Sequence, residues 1–301
     1  MQPVIRRAIG VDIGGTRTKL VLLEAPGAVI EEREIDSDFA TPERVVEVIT
    51  METAAWRQAV ESTQLCLGLA VPGLVERSAG RVLGAPNLDV LDKFDIGIAL
   101  EVTTGLHVEV DNDAHAFGLA ETHLGAAAGC KSAVCLTVGT GVGGAILYEG
   151  RLWRGCGGLA GEIGRLVLDP EASQFFEQEV GAGAVVGEYR RLTEEPAADV
   201  DAEQVARLAD AGDNAARQAL ASCGKRLGVG LAILVNLLNP ECIVVGGGVV
   251  GAGEWFLGPA RIEGERRAWA QSWAQCDVVS AALGPMAGAV GAALLGLEEA
   301  E

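Results

Sequence analysis

Two stretches of this chain repeat one pattern, and that pattern restricts the fold more than any other feature. Residues 11–24 read VDIGGTRTKLVLLE and residues 136–149 read LTVGTGVGGAILYE. Each is an apolar strand, a turn of glycines with threonine, a second apolar strand and an acidic residue. The pattern predicts a β-hairpin whose tip exposes backbone N–H groups and a threonine hydroxyl. Glycine lets the backbone of such a tip approach an anion closely, which suits phosphate oxygens. Ordinary tight hairpins favour glycine as well, so one copy would say little. Two copies, each with threonine among the glycines, point to an internal duplication with a phosphate-holding hairpin in each half. The common nucleotide loops are excluded. There is no G-x-x-x-x-G-K-[ST] run at either turn, and Gly14-Gly15-Thr16 leads into a strand where a dinucleotide fingerprint leads into a helix.

The remaining periodicity is that of an α/β protein. Strands are expected at Leu65–Val71, 81–85, 107–110, 242–245 and 277–280. Helices are expected at 42–60 with Thr41 as N-cap, and at 96–103, 114–128, 175–191, 201–209, 214–238, 254–270 and 287–297. No low-complexity linker or charge block separates these elements, so any domains must join through ordered structure. A chain of 301 residues suffices for two domains.

Composition narrows the partners. With 42 acidic against 23 basic residues the net charge is −19, which argues against a nucleic-acid surface. An anionic substrate must then be met by local donors and a metal cation. No apolar run stands out as a membrane span, and the N-terminus lacks a secretory core, so a cytoplasmic location is expected. The seven cysteines include no C-x-C or C-x-x-C pair, which fits reduced thiols and no structural zinc site.

Several polar residues fall where chemistry collects. Asp113 ends a predicted strand and begins a predicted helix, in VEVDNDAHAF. Ligands gather at such strand ends in α/β sheets, so Asp113 is either a general base or an N-cap. Asn112 beside it strengthens the first reading, because consecutive polar residues at a strand end cost stability unless used. His115 reads as a partly buried helix histidine, since His107 and His123 are not at ligand spacing. Glu162, in Gly161-Glu162-Ile163-Gly164, and Glu177 are either hydroxyl readers or solvated surface residues. Gly246–Gly248 either packs against a flat base or is a strand-to-helix turn.

Taken in order, these motifs resemble one family. DIGGT at 12–16, VPG at 71–73, PN at 86–87, ND at 112–113, LTVGTGVGG at 136–144, GGLAGEIG at 157–164, NLLNPECIVVGGG at 236–248 and AGAVGAA at 287–293 are similar to the ROK family of repressors, open reading frames and kinases. The resemblance implies an actin-like ATPase (ribonuclease H-like) duplicated α/β fold, with two domains and an interdomain cleft. Residues 1–113 plus 286–301 would form the smaller N-terminal domain and residues 114–285 the larger one. It implies an ATP- and Mg²⁺-dependent sugar kinase of glucokinase type, with Asp113 as the base toward the sugar 6-hydroxyl. Gly73, Asn87, Asn112, Glu162, Arg165 and Glu177 would line the sugar pocket. Gly14, Gly15, Thr16, Thr140 and Gly141 would hold phosphates, Gly247 and Gly248 the adenosine side, and Asp12 would stand near Mg²⁺ through water. A homodimer is the family precedent. The family's repressors carry a DNA-binding region before the first hairpin, and none is expected ahead of Asp12.

The chain departs from the family at two places. Arg165 follows GEIG where the family has histidine, and the family's cysteine-rich zinc loop is replaced by RLVLDPEASQFFEQEVGAG. Zinc is therefore expected to be absent and the sugar pocket wall rebuilt. Arg165, donor-only and permanently charged, could pair with Glu162 or Glu177, bind a sugar oxygen or favour an unusual substrate. Rival readings are an N-acetylmannosamine or N-acetylglucosamine kinase, a polyphosphate-using glucokinase, and a sugar-binding protein without turnover.

Overall fold

The structure is a computed structural model that describes residues 6–60, 65–85, 88–168, 171, 174–193 and 199–298. Its strands and helices follow the chain as β1 (Arg7–Ile13), β2 (Arg17–Glu24), β3 (Ala28–Asp36), α1 (Pro42–Glu52), α2 (Ala54–Ala59), β4 (Leu65–Val71), β5 (Leu74–Glu76), β6 (Arg81–Gly84), α3 (Ile96–Thr104), β7 (Val108–Asn112) and α4 (Asp113–His123). They continue as β8 (Ser132–Val138), β9 (Val142–Tyr148), β10 (Arg151–Leu152), α5 (Phe176–Val180), α6 (Ala182–Thr193), α7 (Ala202–Asp210), α8 (Asn214–Leu238), β11 (Cys242–Gly246), α9 (Glu254–Arg267), α10 (Ala270–Trp273), β12 (Asp277–Ser280) and α11 (Ala287–Glu298).

The chain divides into two compact units. Unit 1 holds Met1–Ala128, Arg151–Ala160 and Leu283–Glu301; unit 2 holds Gly129–Gly150 and Gly161–Ala282. This differs from the expected division after residue 113, and close packing explains it. The whole of α4 lies against α11, where a Cβ on Gly291 would stand only 1.7 Å from the Ala116 carbonyl oxygen, so the helix stays with the sheet that precedes it. The strap 151–160 belongs with unit 1 through the ion pair of Arg154 with Asp111.

In unit 1 the sheet runs β3-β2-β1-β4-β7. β2 is antiparallel to β1 and β3, whereas β4 pairs parallel with both β1 and β7. Ile9, Val11, Ile13, Leu20, Leu67 and Leu69 are fully buried in its core. α11 lies on this sheet at backbone distance, because Gly10 and Gly68 leave room for the Ala289 and Ala292 carbonyls. Thr41 caps α1 as expected, accepting a hydrogen bond from the Arg44 N–H at 3.2 Å.

In unit 2 the strands run β9-β8-β11-β12, an antiparallel pair followed by two parallel strands. The same succession, hairpin then parallel strands, is found in β2-β1-β4-β7, which is the duplication the two glycine turns announce. The core of unit 2 is built on α8. By length and composition α8 is apolar enough to cross a membrane, contrary to the expectation that no run is. In the fold its apolar face is core, with Leu220, Leu227, Leu231 and Val235 fully buried. Gly224 and Gly228, one turn apart, bring α9 against it: a Cβ at either would lie 2.2 Å and 2.4 Å from the Phe256 and Ala260 carbonyl oxygens.

Other expectations shift at identifiable residues. The helix expected over 42–60 is interrupted at Thr53, whose hydroxyl bonds back to the Ile49 carbonyl at 2.7 Å. α4 stops five residues short of Ala128, because Glu121 takes the Ala126 N–H at 2.8 Å. The helix expected over 175–191 breaks at Gly181, and Ala182 N–H turns to the Gly139 carbonyl at 2.8 Å.

Candidate functional site

Each unit carries its own group of the expected site residues. In unit 1 they lie at the carboxyl edge of the parallel strands: Asp12 near the end of β1, Gly73 just past β4 and Asn112 at the end of β7. The register Asp12↔Ala70 and Val71↔Asn112 brings these strand ends level. The β1–β2 turn is closed by Gly14 N–H on the Arg17 carbonyl at 3.0 Å, which leaves Gly15 and Thr16 exposed. Asp12 is packed against the start of α11: a Cβ on Gly288 would lie 2.3 Å from its Oδ2.

Asn112 orders the turn that presents Asp113. Its amide Nδ2 donates to the Gly73 carbonyl at 2.8 Å, and its Oδ1 accepts from the Ala114 and His115 N–H groups at 2.9 Å and 3.3 Å. Asn112, not Asp113, is therefore the N-cap of α4, and Asp113 is the first residue of the helix. Gly73 adopts φ 92°, a conformation open to glycine. Asn87 lies outside the described residues.

Burial, reinforced by the nearby Asp12 carboxylate, pushes the Asp113 carboxyl up to about 7. Burial likewise raises Asp12 to about 6, with Lys19 opposing. Of the two, Asp12 near the end of β1 is the carboxyl beside which a divalent cation held through water would offset negative charge.

Beneath this turn is a network that the sequence reading did not find. Asp111, 3% exposed, accepts from the Asn112 N–H and from His115 Nδ1, each at 2.8 Å, and from Arg154 Nε at 2.7 Å. His115 Nε2 reaches the Ala160 carbonyl at 2.9 Å. Burial alone would raise the Asp111 carboxyl, yet the hydrogen bonds and charges of His115 and Arg154 hold it at about 2. Burial would lower the His115 imidazole, and Asp111 with the Ala160 carbonyl outweighs that and raises it. Asp111 and His115 are one helical turn apart, the one local signal of the pair; Arg154 is too distant in sequence to be linked without the fold.

In unit 2 the β8–β9 turn is closed by Gly139 N–H on the Gly141 carbonyl at 2.9 Å, and Thr140 is exposed at its tip. Glu177 is folded against this turn, since a Cβ on Gly141 would lie 2.8 Å from its Oε2. Its Oε1 stands 3.6 Å from Arg165 Nη1, and the Arg165 guanidinium lies over the Phe175 ring at 4.9 Å. Of the partners expected for Arg165, Glu177 is thus the one it meets. Glu162 is exposed just after Gly161, whose φ of 103° lets it approach the Gly144 carbonyl. At the end of β11, Gly247 with φ 93° passes so near Val138 that a Cβ would be 2.4 Å from its carbonyl oxygen. Gly248 is exposed at the start of the 3₁₀ turn Gly248–Ala252.

The ROK family matches residues 8–299. The chain belongs to the ROK family. A glucokinase of Halalkalibacterium halodurans is 31% identical, over 94% of this chain and 92% of that protein. The bifunctional enzyme NanE/NanK of Brucella suis is also 31% identical, over 95% of this chain and 52% of that protein. The crystal structure of a ROK glucokinase from Streptomyces griseus, in complex with glucose and AMPPNP, superimposes with a TM-score of 0.83 at 29% identity, covering 97% of this chain and 99% of that one. This ROK chain accordingly has the two-domain actin-like ATPase fold.

Proposed function

We propose that this ROK protein transfers the γ-phosphoryl group of ATP to a hexose, in glucokinase fashion to the 6-hydroxyl. The observation that carries the reading is Asp113. A carboxyl brought to about 7 is divided between its two forms near neutral pH, where a general base works best. As the hydroxyl oxygen forms its bond to the γ-phosphorus, its proton passes to the Asp113 carboxylate. The bond from that phosphorus to the β–γ bridging oxygen breaks, and ADP leaves. Asn112, held by Gly73, is the sugar-binding residue that unit 1 offers, and Glu162 and Glu177 are the hydroxyl-reading carboxylates of unit 2. The exposed tips Gly14–Thr16 and Thr140–Gly141 offer N–H groups to phosphates, and Gly247 and Gly248 form the adenosine side. Mg²⁺, held through water by Asp12, would neutralise phosphate charge.

A second reading has its own support. The equal similarity to a NanE/NanK enzyme keeps an N-acetylhexosamine open as acceptor, and Arg165 on Phe175 lies in the segment where this chain departs from the family pattern. A coupled assay across hexoses and N-acetylhexosamines, with ATP and polyphosphate as donors, separates these readings. Glucose with ATP is expected to be fastest. Absence of turnover on every sugar would sink the kinase reading.

A further inference from the structure

We propose that His115 is a positioning residue for Asp113: a doubly protonated imidazole that bridges the Asp111 carboxylate and the Ala160 carbonyl and so fixes the turn bearing the base. The proposal rests on the kinase reading above and names a residue that the reading leaves unused.

His115 Nδ1 is 2.8 Å from Asp111 Oδ1 and Nε2 is 2.9 Å from the Ala160 oxygen. An ionised carboxylate and a backbone carbonyl accept hydrogen bonds and cannot donate them. A neutral imidazole has one N–H and satisfies one of them; only the imidazolium satisfies both. The ring is 4% exposed, so water cannot readily replace a lost partner, and an unmet buried acceptor is costly.

The charges around the ring act in both directions. Asp111 faces it from β7, and Arg154 faces the same carboxylate from the strap. Arg77 is next to Asp111 at 4.0 Å and is tied to Glu109 at 3.0 Å. Asp113 is on the ring's own helix; burial and Asp12 raise its carboxyl, and the ring's charge opposes that rise. α11, packed on α4, carries no titratable residue before Glu298. One carboxylate shared by an arginine and an imidazolium leaves the cluster at +1, and Arg154 opposes the ring's charge; the hydrogen bonds of the ring to Asp111 and the Ala160 carbonyl outweigh it.

The bridge acts at two ends. Asp111 Oδ1 also accepts the Asn112 N–H at 2.8 Å, so the ring's grip on Asp111 bears directly on the Asn112–Asp113 turn. The other end holds Ala160, which precedes Gly161-Glu162 in the chain. Deprotonation at alkaline pH removes one of the two bonds and loosens one end.

Two measurements test this on the intact protein. In ¹⁵N spectra of the histidine rings, both His115 nitrogens should carry hydrogen at pH 7, with a midpoint above the ordinary value of about 6.5. A single ring N–H at pH 7 overturns the bridge, whether or not any sugar is phosphorylated. In kinetics, His115→Gln should lower kcat by about tenfold or more with the KM values for ATP and hexose little changed. It should also abolish the alkaline fall of the wild-type rate profile. A merely structural histidine would lower Tm and leave that limb in place, and wild-type kcat with an intact limb overturns the proposal. Should the variant fail to fold, the ring spectrum of the wild type decides. A wild type inactive on every sugar overturns the function itself, a result the ring spectrum does not share.

Discussion

Asp113 and Asp12 each raise the cost of ionising the other. Protonation inactivates a base, so kcat/KM should rise with pH through about 7, the value to which burial and Asp12 bring Asp113, and hold until the alkaline fall set by His115. Asp113→Asn should reduce kcat by about 10²- to 10⁴-fold with an unchanged circular dichroism spectrum. Asp12→Asn removes a repelling charge and should shift the acid limb of the residual activity to lower pH; an upward shift would refute the coupling. Arg165 offers a contrasting case. It is 58% exposed on the side chain, and its pair with Glu177 at 3.6 Å is a loose surface contact worth at most about 1 kcal/mol. Arg165→Ala should leave Tm nearly unchanged and raise the hexose KM by up to about fivefold, as Glu177 loses its tether. At this scale the sequence discloses residue identities well and their partners poorly. Asp113 and Asn112 are legible from the polar cluster at a strand end. The exchange of roles between them, with Asn112 as the cap, is set by a carbonyl at Gly73 that no local pattern reveals.

Elements were legible where burial imposes a period. α8 runs Asn214–Leu238 and β4 runs Leu65–Val71, the spans their apolar patterns predict. β3 was missed because seven of its nine residues are exposed and five are charged; it is an edge strand, held by pairing to β2 rather than by a hydrophobic face. Gly181 was missed as a break because its reason is tertiary: the β8–β9 turn occupies the space a continuous helix would need. α11 shows what glycine contributes between elements. With Gly68 and Gly291 absent a Cβ, backbones come within reach of carbonyls at 1.6 Å and 1.7 Å from the atom that alanine would add. Gly291→Ala should therefore destabilise the protein by about 1–3 kcal/mol, read from the urea midpoint. Gly248→Ala, with nothing near its Cβ, serves as the control.

For the whole molecule, the repeated hairpin correctly announced two similar sheets, but the points of passage between units were not legible. They follow 128, 150, 160 and 282, and depend on packing such as Arg154 on Asp111. Their order has a consequence for synthesis on the ribosome. Every residue of unit 2 has been made by Ala282, whereas unit 1 still lacks α11, against which β1, β4 and α4 close. The half that begins first is thus completed last, and until α11 emerges Gly10, Gly68 and Ala116 lack the backbone they pack against. A chain truncated after Ala282 should protect the β8–β12 region from protease while the β1–β7 region is still cut, which makes α11 the element that commits the first strands to their fold.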